Sequence, residues 1–158
     1  MIKVTAILLL SVLSGSTFAA SDSAQFSIDN PTTNLKISDK GRTVLISIST
    51  SPATKSEAST DHPKFSGLVI TRININVDGN EILVPKSAVD YLVDVNRCSI
   101  EREKNGWTLS IDGRDGAYGY MAVIYFNRDR VQRRAMFADA NRSHMTEEIK
   151  HMPPEVIN

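Results

Sequence analysis

Alternation of apolar and polar residues over two long stretches constrains this chain more than any other feature. In "TVLISIST" (43–50), Val44, Ile46 and Ile48 alternate with Leu45, Ser47 and Ser49. In "LVITRININV" (68–77), Val69, Thr71, Ile73, Ile75 and Val77 alternate with a more polar face carrying Arg72, Asn74 and Asn76. β-Branched residues at period two describe strands that bury one face.

Turn signals then join strands into hairpins. Asp78-Gly79-Asn80 turns the chain into "EILVP" (81–85). "RCSIERE" runs into Lys104-Asn105-Gly106, and "WTLSID" returns with Trp107, Leu109 and Ile111 on one face. Here Asn-Gly is expected to supply the positive φ angles of a tight hairpin turn. Cys98, the only cysteine, alternates in phase with Ile100, which predicts a buried thiol rather than a reactive one. "QFSID" and "NLKISD", around Asn30-Pro31, read as weaker strands.

Two segments change period. In "PKSAVDYLVDV" (85–95), Ala88, Tyr91, Leu92 and Val95 recur at helical spacing, with Ser87 as a cap and Asp90 three residues on. A short helix over one end of a sheet is expected. In "SHMTEEIKHMPPEVIN", Ser143 can cap a helix running to about His151, where Pro153-Pro154 stops it. Between strands, "TSPATKSEASTDHPKFS" (50–66) holds almost no apolar residue, so it is expected to be a mobile loop bearing Lys55 and Lys64.

The chain opens with "MIKVTAILLLSVLSGSTFAA": Lys3, an apolar run from Val4 to Leu13, then Thr17 and Ala19 at the −3 and −1 positions of a cleavage site. Residues 1–19 thus have the layout of a secretory signal peptide, with an apolar run too short for a membrane span. The expected organisation is a signal peptide, one β-rich domain over 20–142 and a helical tail over 143–158. Six to eight strands in successive hairpins predict a mainly β fold. It would be an antiparallel sandwich or open barrel with one short helix and the C-terminal helical segment.

"DGRDGAYGYMAVIYF" (112–126) raises a functional question, because Gly113, Gly116 and Gly119 fall every third residue beside Asp112 and Asp115. A phosphate-cradling glycine loop opens a helix. These glycines precede Tyr118 to Phe126, which is apolar on both alternating faces and reads as a central strand. A calcium loop needs oxygen ligands at alternate positions, where Arg114 and Gly116 stand. Gly113 and Gly116 are therefore read as turn residues, and Gly119 as a strand glycine approached by a backbone or ring. With the preceding "WTLSI", the aromatic strand and the Arg-bearing strand after it, this stretch resembles small exported bacterial β domains of unassigned function. In those, a Gly-Asp-rich turn joins two late strands. The likeness covers the second half of the chain, departs at Arg114, and implies a fold without any activity or catalytic residue.

Chemistry is sparse. Of the three histidines, His144 and His151 would lie two turns apart on a helix, about 10 Å, too far to share an ion. No serine stands in a Gly-x-Ser-x-Gly elbow. No metal, cofactor or catalytic residue is assigned. With 18 basic and 18 acidic residues the formal charge is zero, which gives no global case for nucleic acid. The local exception is "RDRVQRRAMFADANR" (128–142), whose arginines could meet an anionic partner through bidentate contacts. As a strand over 131–137, it would place Arg133 with Val131, Ala135 and Phe137, and Arg134 with Gln132 and Met136. An edge strand guarded by charge is the competing reading.

The sequence thus predicts an exported, periplasmic or secreted, non-catalytic binding or accessory protein of the bacterial envelope. An inhibitor or immunity-type protein is one form. Its candidate contact residues are Arg128, Arg130, Arg133, Arg134, Lys55 and Lys64, facing an envelope protein or an anionic envelope component. On that reading Arg133 and Arg134 tolerate replacement by Glu without unfolding. A hydrolase with a dispersed site and a self-assembling envelope component are the alternatives.

Overall fold

The computed structural model describes residues 23–28, 31–39, 41–53, 67–114, 119–138 and 142–152. The expected signal peptide, Lys55, Lys64, Gly116 and most of the 50–66 segment lie outside them. Ten strands occur among the described residues: β1 (Ser23–Ser27), β2 (Thr32–Asp39), β3 (Arg42–Pro52), β4 (Leu68–Val77), β5 (Asn80–Ile82), β6 (Val95–Glu103), β7 (Gly106–Gly113), β8 (Tyr120–Phe126), β9 (Val131–Phe137) and β10 (Met145–Lys150).

They form two antiparallel sheets. One runs β2-β3-β4-β5 and the other β1-β6-β7-β8-β9-β10, so each is a hairpin meander, with β1 added to the larger. Neither closes into a barrel. A single core lies between them, drawing Leu35, Ile46, Ile48 and Ile75 from the smaller sheet and Ile100, Leu109, Ile124 and Phe126 from the larger. The alternation of β3 works as read: Val44, Ile46 and Ile48 are buried, whereas Leu45 is exposed. Cys98 faces the same core, and burial, reinforced by nearby Asp112, pushes its thiol up to about 12. No helix among the described residues is long and apolar enough to cross a membrane.

Several expectations are corrected. The C-terminal segment is not helical: Met145–Lys150 is β10, paired to β9 with Glu148 opposite Ala135 and Ile149 opposite Arg134. A lone helix of two turns is marginal, whereas β9 offers a row of unpaired backbone groups and two cross-strand ion pairs. For the same reason β9 is an interior strand, not a charged edge. The 85–95 helix shrinks to one 3-10 turn, Lys86–Ala88, and Ser87 makes no cap. Tyr91 and Asp94 adopt φ of 66° and 54°, left-handed values that end any right-handed helix. Residues 50–52, placed in the loop by composition, extend β3.

The glycines do different work from that expected. Gly79 and Asp78, at φ 87° and 53°, make the predicted β4–β5 turn, so the positive-φ geometry expected of Asn105-Gly106 occurs here instead. In the β6–β7 hairpin the turn residues are Lys104 and Asn105, neither at positive φ, and Gly106 already belongs to β7. Its constraint is space, because a β-carbon there would collide with the carbonyl oxygen of Phe126 on β8. Gly119 stands before β8 rather than in it. The close aromatic ring is instead met by Gly113, which lies against Tyr120, whose hydroxyl donates to the carbonyl of Val93 at 2.7 Å.

Candidate anion-recognition end of the sandwich

Hairpin register carries four turns to one end of the molecule. Asp39 pairs with Arg42, Val77 with Asn80, Glu103 with Gly106, and Phe126 with Val131. The two sheets are tied there: Asn80 Nδ2 donates to the carbonyl of Arg128 at 2.7 Å. Within the smaller sheet, Asp78 Oδ1 accepts from the Thr43 amide at 2.8 Å, and Arg42 pairs with Asp78 at 3.4 Å. Asn127 Oδ1 accepts the amides of Asp129 and Arg130, both at 2.9 Å, which fixes the β8–β9 turn.

This end is basic. A cleft of about 300 Å³ is lined by Arg42, Arg102, Lys104 and Arg128, with Trp107 behind and Asp129 as its single carboxylate. A second cleft, about 440 Å³, shares the β6–β7 turn and includes Glu103, Lys104, Tyr125, Gln132 and Arg133. Arg102 lies over the Trp107 ring at 4.4 Å, and Trp107 stacks on Phe126 at 5.8 Å between centroids. The indole is buried, so its role is to hold the guanidinium flat. Arg102 Nη1 is itself buried without a hydrogen-bond partner, as is Nη1 of Arg130. A guanidinium held over a ring in this way needs little further ordering to meet an anion.

The predicted arginine patch is only partly assembled. Arg128 lines the cleft and Arg130 ends the adjoining turn. Arg133 and Arg134 point to opposite faces of their sheet. A bulge where β9 meets Tyr125 and Phe126 shifts parity, so Val131 shares the inner face with Arg134, not the outer face with Arg133. Arg133 lies over the Tyr125 ring at 3.8 Å and donates to Glu148 at 2.6 Å. That hydrogen bond holds the Glu148 carboxyl below the usual range.

Arg134 is a structural residue and drops out of the contact set. It is 2% exposed, donates to the carbonyl of Asp90 at 2.7 Å, and pairs with Glu147 at 2.5 Å. Replacing it by Glu would bury a carboxylate against that carbonyl, so the expectation that both arginines tolerate Glu is corrected.

Sequence reasoning missed Arg42, Arg102, Lys104 and Trp107. Arg42 and Lys104 each border a hairpin turn, and counting strand register from the turns places them at the same end as Arg128. Arg102 carries no such signal; its place depends on pairing opposite Trp107. Compared with family models, curated proteins and solved structures, the chain matches none.

Proposed function

We propose that the chain is an exported, non-catalytic accessory protein of the bacterial envelope whose turn end binds the acidic surface of a partner protein. An inhibitor or immunity-type role is the form this reading takes. One observation carries it: cations from three separate hairpins converge on one cleft with a single opposing carboxylate among its lining residues. Nothing in folding requires that convergence, since like charges brought together cost stability. The tight turns around it supply the rigid frame that recognition loops need.

The test is capture from a cell-envelope extract by the immobilised protein, wild type against Arg102→Glu with Arg128→Glu. A stoichiometric partner retained by the wild type, lost by the variant and released by salt supports the reading. Equal retention by both proteins contradicts it.

A further inference from the structure

The smaller sheet ends on an edge open to pairing. Of the four sheet edges among the described residues, β5 is three residues long and β1 five, and β10 carries Glu147, Glu148 and Lys150 with a bulge beside them. Short length, charge and bulges all discourage another strand from adding. β2 has none of these. It runs for eight residues, "TTNLKISD", without proline, and pairs with β3 from Thr32 to Asp39 without a bulge. Before its last residue it carries one charged side chain, Lys36.

Register fixes which backbone groups point out of that edge. The Thr50 amide donates to the carbonyl of Pro31 at 2.9 Å, and antiparallel strands bond at every second position. Thr33, Leu35 and Ile37 therefore bond toward Ile48, Ile46 and Val44 of β3. Thr32, Asn34, Lys36 and Ser38 direct their N–H and C=O groups away from β3, where no described strand lies. Their side chains share the outer face, with Thr32, Asn34 and Ser38 exposed, while Thr33, Leu35 and Ile37 are buried.

We propose that β2 pairs antiparallel with β2 of a second copy, joining two four-stranded sheets across a two-fold axis at Leu35. A second copy is the occupant because the strand is complementary to itself in one register. With Leu35 opposite Leu35, Asn34 meets Lys36 and Thr32 meets Ser38. All four outward positions then bond in pairs, about eight backbone hydrogen bonds, and no like charges stand opposite. Moving the axis to Lys36 sets lysine against lysine, and moving it to Asn34 carries Ser38 past the start of the facing strand. A formal charge of zero adds no net repulsion between copies. Because each copy spends the same edge, the assembly closes as a dimer rather than growing into a fibre. Antiparallel pairing sends the two β2–β3 turns, and the basic ends with them, to opposite poles, so this surface and the basic cleft can fail separately.

Sedimentation of the purified protein over a dilution series tests it. The wild type should pass reversibly from monomer to dimer and go no further. Asn34→Pro removes an outward amide at a position where an edge strand accepts the ring. Its Tm should stay within about 4 °C of wild type while dimerisation weakens about 100-fold. Two charge variants test the register: facing Lys36 in both halves, Asn34→Glu should tighten the dimer about fivefold and Asn34→Lys should loosen it about fivefold. Should Asn34→Pro fail to fold, the charge variants decide alone. A wild type that stays monomeric or grows beyond a dimer would overturn the proposal, as would undiminished dimerisation of folded Asn34→Pro. Charge variants that move together, or not at all, would also overturn it. Arg102→Glu with Arg128→Glu should dimerise like the wild type; loss of the dimer there would place the contact at the basic end instead.

Discussion

The arginines at the basic turn end and those in the half of the sandwich nearer the β5–β6 connection have opposite fates. In the connection half they are spent on the fold: Arg114 faces Asp94 at 3.7 Å, Arg134 links β9 to Asp90 and Glu147, and Arg142 donates to Ser110 at 2.9 Å while reaching Glu101 at 3.7 Å. At the turn end, Arg42 makes one half-exposed ion pair at 3.4 Å, and Arg102 lies over a ring. One residue type thus serves two purposes within one small protein. What separates Arg134 from Arg102 is that acceptors lie beside the one and a ring lies beneath the other.

The widest gap in that comparison should appear in stability. Arg134→Ala strips two acceptors of their buried donor and is expected to lower unfolding free energy by about 3 kcal/mol. Arg128→Ala should stay within about 0.5 kcal/mol of wild type. Urea unfolding of the two variants measures both, and equal losses would erase the distinction. Next in size is Gly106→Ala, whose new methyl meets the Phe126 carbonyl oxygen; a loss of about 2 kcal/mol is expected in the same assay. Were it neutral, the β6–β7 turn would be looser than described and its Lys104 less firmly placed.

How much of this was legible in the sequence follows from the range of the interactions. β3 could be read from period two, and β4 from Ile73 to Val77, because burial of one face imprints on neighbouring residues; before Ile73 a bulge against β3 reverses the expected parity, burying Ile70 and exposing Thr71. β9 was located to its ends, yet its parity was misread, since a bulge is set by the partner strand and leaves no mark on composition. β10 was missed for a related reason: His144, Glu148 and His151 suit a helix locally, and only the open edge of β9 selects a strand. The basic cleft was the least legible feature. Arg42, the neighbouring Arg102 and Lys104, and Arg128 come from three distant parts of the chain, and hairpin register and sheet packing alone bring them together. Tyr91 looked like a core residue at helical spacing, and the left-handed turn that exposes it is imposed by anchors on either side.

Smaller effects sharpen the picture of the buried half. Cys98, with its thiol pushed up to about 12 by burial, should resist alkylation at neutral pH in the native protein and react promptly in urea. Fast labelling of native protein would place the thiol outside the core. His151 is held below its ordinary value by burial and then by the charge of Arg134. The folded state therefore prefers the neutral ring. Its contribution is complete above about pH 6.5, the unfolded value, and fades as pH falls through the lower folded-state value. His151→Gln should flatten the acid side of a Tm-against-pH profile slightly, and an unchanged profile would remove His151 from the account.

Capture from the cell-envelope extract tests the central claim most directly. With the native melting transition verified for both proteins, the wild type should retain a stoichiometric partner at low salt and release it as ionic strength rises, while Arg102→Glu with Arg128→Glu should retain none. Undiminished capture by the charge-reversed protein would contradict the assignment of the turn end as the recognition surface.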